Sequence, residues 1–314
     1  MQVELLSSRE EAAIRGAFRQ TLVRSAPSLA EQGDRLLDRL PPQRWLLEWG
    51  LPLWLGESFG LNEEVALTLA VCNLLGLAYV RVQDDLTDGE IEAADRPQAM
   101  ALATVAFQAA ILSFARLFGG DERFWTALEQ RLGQWAQALP APPDLAPGFS
   151  AHPHRPSLRR LAHAGAPAHI GLVAACLLGR RDDLLPQLSA ALDDWLLASV
   201  LLDHARDWMP DLDAGRYNAF VAHSTSLAQA PAHHQAIRRQ MQEMILLGDG
   251  GRPYFDLVLR LLHEAQAAAR PAGCARLNAY LDWFVAQTTT ELNNHRQQTA
   301  DQLHRATKLL FGNI

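Results

Sequence analysis

The spacing of hydrophobic residues predicts a chain built from helices. Apolar residues recur at steps of three and four, the period of an amphipathic helix, and the alternation typical of strands is absent. The segments with this spacing are 8–25, 28–39, 92–118, 122–138, 183–209, 225–246, 253–267 and 275–310. Two proline-containing stretches, 139–149 and 151–156, are predicted loops, too short to separate domains. We therefore expect an all-α protein with one domain over residues 1–314.

One further helix is apolar almost throughout. Residues 63–83 read EEVALTLAVCNLLGLAYVRVQ, and Asn62 before them is a good N-cap. The stretch 65–82 approaches the length that a bilayer requires, but Asn73 and Arg81 interrupt it and we expect no comparable run elsewhere. The mean hydropathy of −0.07 is typical of a soluble chain. The sequence thus predicts a helix buried on all sides, with no integral membrane segment.

Composition narrows the classes of function. Hydrophobic residues make up 49% of the 314, enough for a large core, and the formal net charge is −7. This charge and the absence of a basic run argue against a nucleic-acid surface. Basic charge is almost all arginine, since Lys308 is the only lysine. Cys72, Cys176 and Cys274 lack metal-ligand spacing, so we expect reduced core thiols in a cytoplasmic protein. Separately, we expect the protein to be a monomer or a homodimer.

The N-terminus gives no sign of a signal peptide. MQVELLSSREEAAIRG lacks the basic-then-apolar order of such a segment. Ser8 followed by Glu11 instead predicts a capping box that starts the first helix.

Two acidic clusters are the most specific chemical feature of the chain. They lie in VRVQDDLTDGE and LLDHARDWMPDL, and their members are Asp84, Asp85 and Asp88, and Asp203, Asp207 and Asp211. Steps of three and four place side chains on one helix face, so each cluster is expected to present its carboxylates in one direction. Carboxylates this close repel one another, and Mg2+, completed by phosphate oxygens and water, is the natural compensating cation.

The position of the first cluster strengthens this hypothesis. Glu63 and Glu64 fall in the first turn of their helix, where the dipole favours negative charge, whereas the aspartates fall at its far end, where the dipole opposes it. A solvated acidic helix end before Gly89 would explain one such cluster. Two clusters with helical spacing favour a metal site.

These segments resemble the two motifs of class I isoprenoid synthases. YVRVQDDLTD, residues 79–88, looks like the first aspartate-rich motif, closest to the squalene/phytoene synthase form in which an arginine precedes the acidic pair as Arg81 does. LLDHARDWMPDLDAGRY, residues 201–217, is similar to the second motif of that family, with its Arg-Asp pair, second acid, Gly-Arg and tyrosine. The same stretch also fits the metal-binding triad of terpene cyclases, whose ligands lie four apart. The resemblance covers roughly residues 55–220.

Departures from the coupling family favour a terpene synthase acting on one substrate molecule. Val200 stands where squalene and phytoene synthases usually carry glutamine, and Asp203 stands where they carry asparagine. Residues 169–179 lack the tyrosine that they place before the second motif. Chain-elongating prenyl synthases need a second basic site, commonly built with lysines, although arginines could substitute.

The resemblance implies a single large helical bundle of the class I terpenoid synthase type with a central active-site cavity. It implies an enzyme that ionises an allylic prenyl diphosphate of the C15–C20 class and converts the carbocation to a terpene hydrocarbon or alcohol, releasing diphosphate. The six aspartates would hold Mg2+, three ions with Mn2+ as a substitute. The alternatives are head-to-head coupling of two prenyl diphosphates and a non-catalytic helical subunit that partners a prenyl synthase.

Arginines are expected to complete the site, because a guanidinium donates two parallel hydrogen bonds to phosphate oxygens. By position, Arg81, Arg206 and Arg216 are the candidates, with Tyr217 beside the last. An ion pair to a neighbouring acid is the alternative for Arg206.

Another pair of arginines, Arg159 and Arg160, precedes Asp203 by a little over forty residues. Either would match the diphosphate sensor that terpene synthases place at about that distance. A solvated turn is the alternative for both.

The hydrocarbon tail is expected to lie along the helix that ends in the first cluster. Counting back from Asp84 by helical steps gives Val80, then Leu77 or Gly76, then Asn73. Gly76 is informative because a glycine inside a helix costs about 1 kcal/mol relative to alanine. Either the tail passes Gly76 or another helix approaches it closely.

Overall fold

The computed structural model confirms an all-α protein. It describes residues 4–42, 45–139, 156–225, 231–247 and 251–311, and no strand occurs among them. The helices are α1 (Ser8–Ser25), α2 (Ala30–Arg39), α3 (Leu46–Ser58), α4 (Glu63–Thr87), α5 (Arg96–Phe118), α6 (Glu122–Ala138), α7 (Pro156–Arg159), α8 (Ala168–Leu178), α9 (Leu185–Arg206), α10 (Trp208–Asp213), α11 (Ala219–Ser224), α12 (His234–Leu247), α13 (Arg252–Ala269) and α14 (Ala275–Phe311).

The chain forms two compact units. The first comprises residues 1–140, 164–190 and 268–280, and the second comprises 141–163, 191–267 and 281–314. A single domain over 1–314 stays a prediction.

Helix α1 begins with a capping box, one residue before the predicted one. Ser7, not Ser8, is the N-cap: its hydroxyl accepts a hydrogen bond from Glu10 N at 3.2 Å, and the Glu10 carboxylate accepts one from Ser7 N at 2.8 Å. The prediction that Ser8 pairs with Glu11 is therefore wrong by one residue.

Helices α3 and α4 of the first unit pack antiparallel. A Cβ placed at Gly56, late in α3, would lie only 2.8 Å from the Cβ of Ala66, early in α4. At the other end, the Arg81 guanidinium lies over the ring of Trp45, 5.7 Å from its centroid. The two helices thus run in opposite directions and approach each other closely at the glycine.

A proline breaks the hydrogen bonding of α3, and α4 repairs the break. Pro52 lies inside the helix and has no N–H to donate to the carbonyl of Glu48, four residues earlier. That carbonyl instead accepts a hydrogen bond of 2.6 Å from the side-chain amide of Asn73 in α4. The repair fixes the register of the two helices.

Three other hydrogen bonds connect α3 to distant parts of the first unit. The Trp49 indole donates to Leu40 O at 3.0 Å, and the Trp54 indole donates to Leu5 O at 2.7 Å. The thiol of Cys274 donates to Trp54 O at 3.3 Å. Cys72, Cys176 and Cys274 are all free and buried, which confirms the predicted core thiols.

Helix α4 has the predicted start and end. The Asn62 side chain accepts a hydrogen bond of 2.8 Å from Val65 N, and the helix runs to Thr87 with Asp88 as its C-cap. Most of its faces are buried, but Asn73, Gly76 and Leu77 keep partial exposure. A partly open strip thus runs along the face predicted to contact the tail.

Among the residues that the structure describes, three helices are long and apolar enough to cross a membrane, by length and composition only: Glu63–Thr87, Arg96–Phe118 and Asp182–Arg206. The number rises to four if the bent pair Pro156–Gly165 and Ala168–Leu178 forms one span. The expectation that no run comparable to α4 recurs is therefore wrong. Within α4, 61% of the most apolar window is buried inside the protein. The absence of an integral membrane segment stays a prediction.

The second unit is held around the part of α9 that leads to the second acidic cluster. The Tyr254 hydroxyl of α13 donates a 2.9 Å hydrogen bond to Leu201 O. Phe220 of α11 packs edge-on against the Tyr254 ring, with centroids 5.0 Å apart. These aromatic contacts fix the end of α9 against α11 and α13.

Candidate metal and diphosphate site

The first acidic cluster lies where α4 is closed by a Schellman motif. Glu90 N donates to Asp85 O at 2.8 Å and Gly89 N donates to Leu86 O at 3.3 Å. Gly89 has a φ of +73°, in the left-handed region that favours glycine. The closed turn places the aspartate side chains beside the negative end of the helix dipole, where a cation would stabilise them.

Asp84 shows the electrostatic cost of this position. Burial raises its pKa to about 6, the nearby charge of Arg81 lowers it, and the charges of Asp88, Asp85 and Glu90 raise it further. A metal-free Asp84 therefore binds a proton more readily than a solvated aspartate. A divalent cation would take the place of that proton.

Asp85 differs from the expectation that the cluster points in one direction. It is only 5% exposed, and its carboxylate is paired with Arg81 at 2.8 Å and with Arg39 at 3.5 Å. It lies at a small cleft of about 150 Å3, whose lining is Leu36, Arg39, Leu40, Trp45, Arg81, Asp85 and Glu90. Asp84 and Asp88 are the members of this cluster that keep more accessible carboxylates.

The second cluster extends over a break between two helices. Helix α9 ends at Arg206 and α10 begins at Trp208, with Asp207 as its N-cap. Helical hydrogen bonds nevertheless cross the break, from Asp207 N to Asp203 O and from Asp211 N to Asp207 O, both 2.9 Å. The four-residue step is thus retained, and both Asp203 and Asp207 are exposed.

Helix α10 also ends in a Schellman motif. Arg216 N donates to Asp211 O at 2.7 Å, Gly215 N donates to Leu212 O at 3.0 Å, and Gly215 has a φ of +76°. Each acidic cluster therefore ends at a helix C-terminus that a glycine closes, although Asp207 of the second cluster lies at the N-terminus of its helix. The sequence predicts this for Gly89 but not for Gly215.

A hydrogen-bond network holds Asp211. Arg216 pairs with its Oδ1 at 2.9 Å, and the Asn218 amide donates to its Oδ2 at 2.8 Å and to His204 O at 2.9 Å. Burial lowers the pKa of His204 to about 4, so the ring is neutral, and its Nδ1 accepts a bond from Ala219 N.

Asn218 is a site residue that the sequence analysis missed. Its own carbonyl oxygen accepts a hydrogen bond of 3.1 Å from Val221 N, which makes it the N-cap of α11. The signal was an asparagine directly before an apolar run. Arg39 was also missed, and nothing near it in the sequence connects it to Asp85.

The three arginines predicted to bind diphosphate are all paired with acids. Arg81 lies 3.5 Å from Asp84 in addition to its contact with Asp85, and Arg216 pairs with Asp211. Arg206 makes a bidentate ion pair with Glu291 of α14, at 3.0 and 2.6 Å. An ion pair with an acid was the alternative to diphosphate binding for Arg206.

The other predicted diphosphate-binding residues lie in different surroundings. Arg159 pairs with the buried Asp194, and Arg160 is exposed. Tyr217 is partly buried, which raises the pKa of its hydroxyl. Their roles stay predictions.

The strip predicted to contact the tail has room at its glycine. A Cβ placed at Gly76 would meet no atom within 4 Å, so the close helix–helix contact is not the reason for this glycine. Asn73 lies at the other end of the strip, where its side-chain amide donates a hydrogen bond to Glu48 O. Gly76 and Leu77 thus remain the positions where a hydrocarbon would fit.

The donor set suits Mg2+ bound mainly through a ligand. Among the residues that the structure describes, no three His, Cys, Asp or Glu side chains converge on one point. Aspartate oxygens are hard donors, and Mg2+ commonly takes one or two carboxylates while phosphate oxygens and water complete its octahedron. Asp84, Asp88, Asp203 and Asp207 are accessible for that kind of binding.

The fold resembles that of a known enzyme. The chain superposes on the crystal structure of a decaprenyl diphosphate synthase from Rhodobacter capsulatus with a TM-score of 0.68 and 14% sequence identity, covering 90% of this chain and 97% of that one. No protein-family model and no curated protein sequence matches the chain. The all-helical isoprenoid synthase fold expected from the two motifs is thus confirmed, while the particular likeness to squalene and phytoene synthases stays a prediction.

Proposed function

We propose that this protein is a Mg2+-dependent class I terpene synthase that ionises an allylic prenyl diphosphate of the C15–C20 class. The observation that supports it best is the repeated design of the two acidic helix ends. In each, the last aspartates lie next to a helix end that a glycine closes, and an arginine pairs with one of the aspartates. The fold shared with a prenyl diphosphate synthase supports the same class of substrate.

The aspartates would bind the metal, and the arginines would bind the phosphate groups. Asp84 and Asp88, and Asp203 and Asp207, would hold Mg2+, which supplies the positive charge that stabilises the leaving diphosphate. Arg81 pairs with Asp84, whose charge a metal would neutralise, so that its guanidinium can donate to phosphate oxygens. Arg216 pairs with Asp211 beside the second cluster and can use its remaining N–H groups in the same way. The tail would extend along α4 past Leu77 and Gly76, where apolar surroundings exclude water from the carbocation.

Prenyl transfer is the second candidate, because the structural neighbour is named as a prenyl diphosphate synthase. Addition of a second prenyl unit needs another diphosphate site. The cleft beside Asp85 contains Arg39 and Arg81, but Asp85 and Glu90 balance their charge. This balance favours a reaction of one substrate molecule.

The test is incubation of the full chain with C10, C15 or C20 prenyl diphosphate and Mg2+, with and without isopentenyl diphosphate. We expect one diphosphate released per prenyl diphosphate consumed and a hydrocarbon or alcohol of unchanged carbon number, identified by mass spectrometry. A longer prenyl diphosphate, or a C30 or C40 product, would establish the second candidate. No diphosphate release with any substrate would refute both.

Matched variants connect the activity to the clusters. Asp84→Asn and Asp207→Asn should each lower diphosphate release at least about 10²-fold, the magnitude typical when a preorganised charge-stabilising group is lost. Asp213→Asn is the control, since Asp213 lies two residues beyond Asp211 but pairs with Arg238. EDTA should abolish the activity of the wild type, and full turnover in EDTA would contradict the proposal.

A further inference from the structure

Glu48 is a partly buried carboxylic acid that the proposed reaction does not yet use. It is the third residue of α3, in the first turn, and its backbone carbonyl is the one that Asn73 binds. That contact fixes Glu48 beside the middle of α4, one helical turn from Gly76. Glu48 is therefore at the level of the strip where the hydrocarbon would fit, far from the diphosphate end of the helix.

Within the described part of the chain, the Glu48 carboxyl has no charged partner. Among the residues that the structure describes, it forms no ion pair, and the hydrogen bond that stabilises its charge comes from its own backbone N–H. Burial raises its pKa to about 7, and the residue still keeps part of its accessible surface. Pro52, one turn further along the same face of α3, lies 3.2 Å from a Cβ placed at Gly171 of α8, beside Asn73 of α4. The face of α3 that carries Glu48 is therefore turned towards α4 and α8.

Neighbouring ionisable groups do not explain an acid here. Helix α3 packs against α4 and α8, whose ionisable side chains at mid-length or nearby are Cys72, His169 and Cys176. Burial raises the pKa of both thiols to about 12, so they stay neutral. The Nε2 of His169 lies 3.4 Å from Ser189 O.

A structural role would not need the acid to be buried. An acidic residue in the first turn of a helix is stabilised by the dipole when it is solvated, and such a residue has an ordinary or lowered pKa. Glu48 is instead enclosed, where an apolar residue would pack without a desolvation cost. A buried acid without a partner is typical of a proton-transfer group.

We propose that Glu48 is the general base that ends the reaction in the hydrocarbon pocket. This rests on the proposed function. The Glu48 carboxylate takes a proton from a carbon next to the cationic carbon, the C–H electron pair becomes the new C=C bond, and the olefin leaves with the carboxyl protonated. Glu48 then returns the proton to water after the product departs.

The test compares the products of wild type and Glu48→Gln with Mg2+ and the prenyl diphosphate that the wild type turns over. Gln has the same shape but cannot accept the proton. Diphosphate release should stay within about threefold, because ionisation takes place at the other end of α4. The ratio of olefin to alcohol should fall on the order of 10²-fold, the usual contribution of a general base, as water captures the cation.

Two further variants serve as controls. Glu48→Asp keeps the carboxylate and should restore a part of the olefin. Glu57→Gln removes an exposed acid of the same helix and should leave both diphosphate release and the product ratio unchanged. The olefin fraction of the wild type should fall as the pH drops below about 7, where Glu48 becomes protonated, and that of Glu48→Gln should not depend on pH.

Each outcome decides between the two proposals. An unchanged product ratio and pH profile in Glu48→Gln, with diphosphate still released, would overturn the role of Glu48 and leave the synthase intact. Equal loss of diphosphate release in Glu48→Gln and Glu48→Asp would also overturn it, since a base that acts after ionisation does not control ionisation. A wild type that releases no diphosphate would overturn the proposed function itself.

Discussion

Two glycines inside helices provide a matched test of the space beside α4. Gly76 in α4 and Gly171 in α8 both lie inside helices of the first unit, so alanine offers each the same gain in helix propensity, about 0.5–1 kcal/mol. Their surroundings differ. The new methyl at Gly76 meets nothing within 4 Å, whereas at Gly171 it would lie 2.8 Å from Asn73 Oδ1 and 3.2 Å from Pro52 Cγ.

The clash at Gly171 cannot relax cheaply. Asn73 is held by its hydrogen bond to Glu48 O, and the Pro52 ring is rigid, so the neighbours must shift together. Overpacking of this kind costs typically about 1–3 kcal/mol. We therefore expect Gly76→Ala to be more stable than the wild type by up to about 1 kcal/mol and Gly171→Ala to be less stable, with an opposite sign of change.

Urea unfolding followed by far-UV circular dichroism measures both changes, and an unchanged m value shows that the same surface is exposed on unfolding. A Gly76→Ala protein that is less stable than the wild type would refute the conclusion that there is open space beside Gly76. Gly76→Phe then tests the tail: it should lose the longest prenyl diphosphates first and retain activity on shorter ones. Equal loss for all lengths would mean that the tail does not pass Gly76.

The other predictions concern buried polar groups. Because burial raises the pKa of Asp84 to about 6, the folded protein binds a proton more tightly than the unfolded chain, and stability falls as the pH rises from about 4 to above 6; Asp84→Asn should raise the metal-free melting temperature at pH 8 more than at pH 5. Glu48→Gln should likewise raise the melting temperature more at pH 8 than at pH 5, because burial raises the pKa of Glu48 to about 7. Equal increases at pH 5 and pH 8 would contradict this raised pKa. Asn218→Ala should cost about 1–3 kcal/mol in urea unfolding, since it removes a helix cap and a donor to Asp211, and Asn218→Asp should not restore the loss because it places a second carboxylate there. A neutral Asn218→Ala would show that the network does not hold Asp211.

Long helices with one apolar face could be predicted from the sequence, and α1, α6 and α14 lie within two residues of the predicted bounds. Helix α3 could not, although hydrogen bonds connect it to α4, Leu5, Leu40 and Cys274. Gly50, Pro52 and Gly56 are helix-breaking signals, and its nearly uniform apolar surface gives no period. Tertiary contacts compensate for the proline, and a single sequence does not contain them.

Within the candidate site, spacing along one helix predicted which residues are neighbours but not which way they point. Asp84 and Asp88 follow the helical step, while Asp85 is buried by Arg39, 46 positions away. The pairing of Arg206 with Glu291 is equally remote in sequence. Ion pairs between distant segments depend on the packing of the helices, so the motif alone could not assign them.

The repair of the proline break has a consequence for the order in which the first unit opens. A proline normally lets a helix fray as two halves, but here the exposed carbonyl of Glu48 is bound from α4. Separation of α3 from α4 must therefore break a backbone contact and leave a buried carbonyl without a donor. This contact makes α3 and α4 one cooperative unit. Their amide protons near Glu48 and Asn73 should therefore exchange with solvent together.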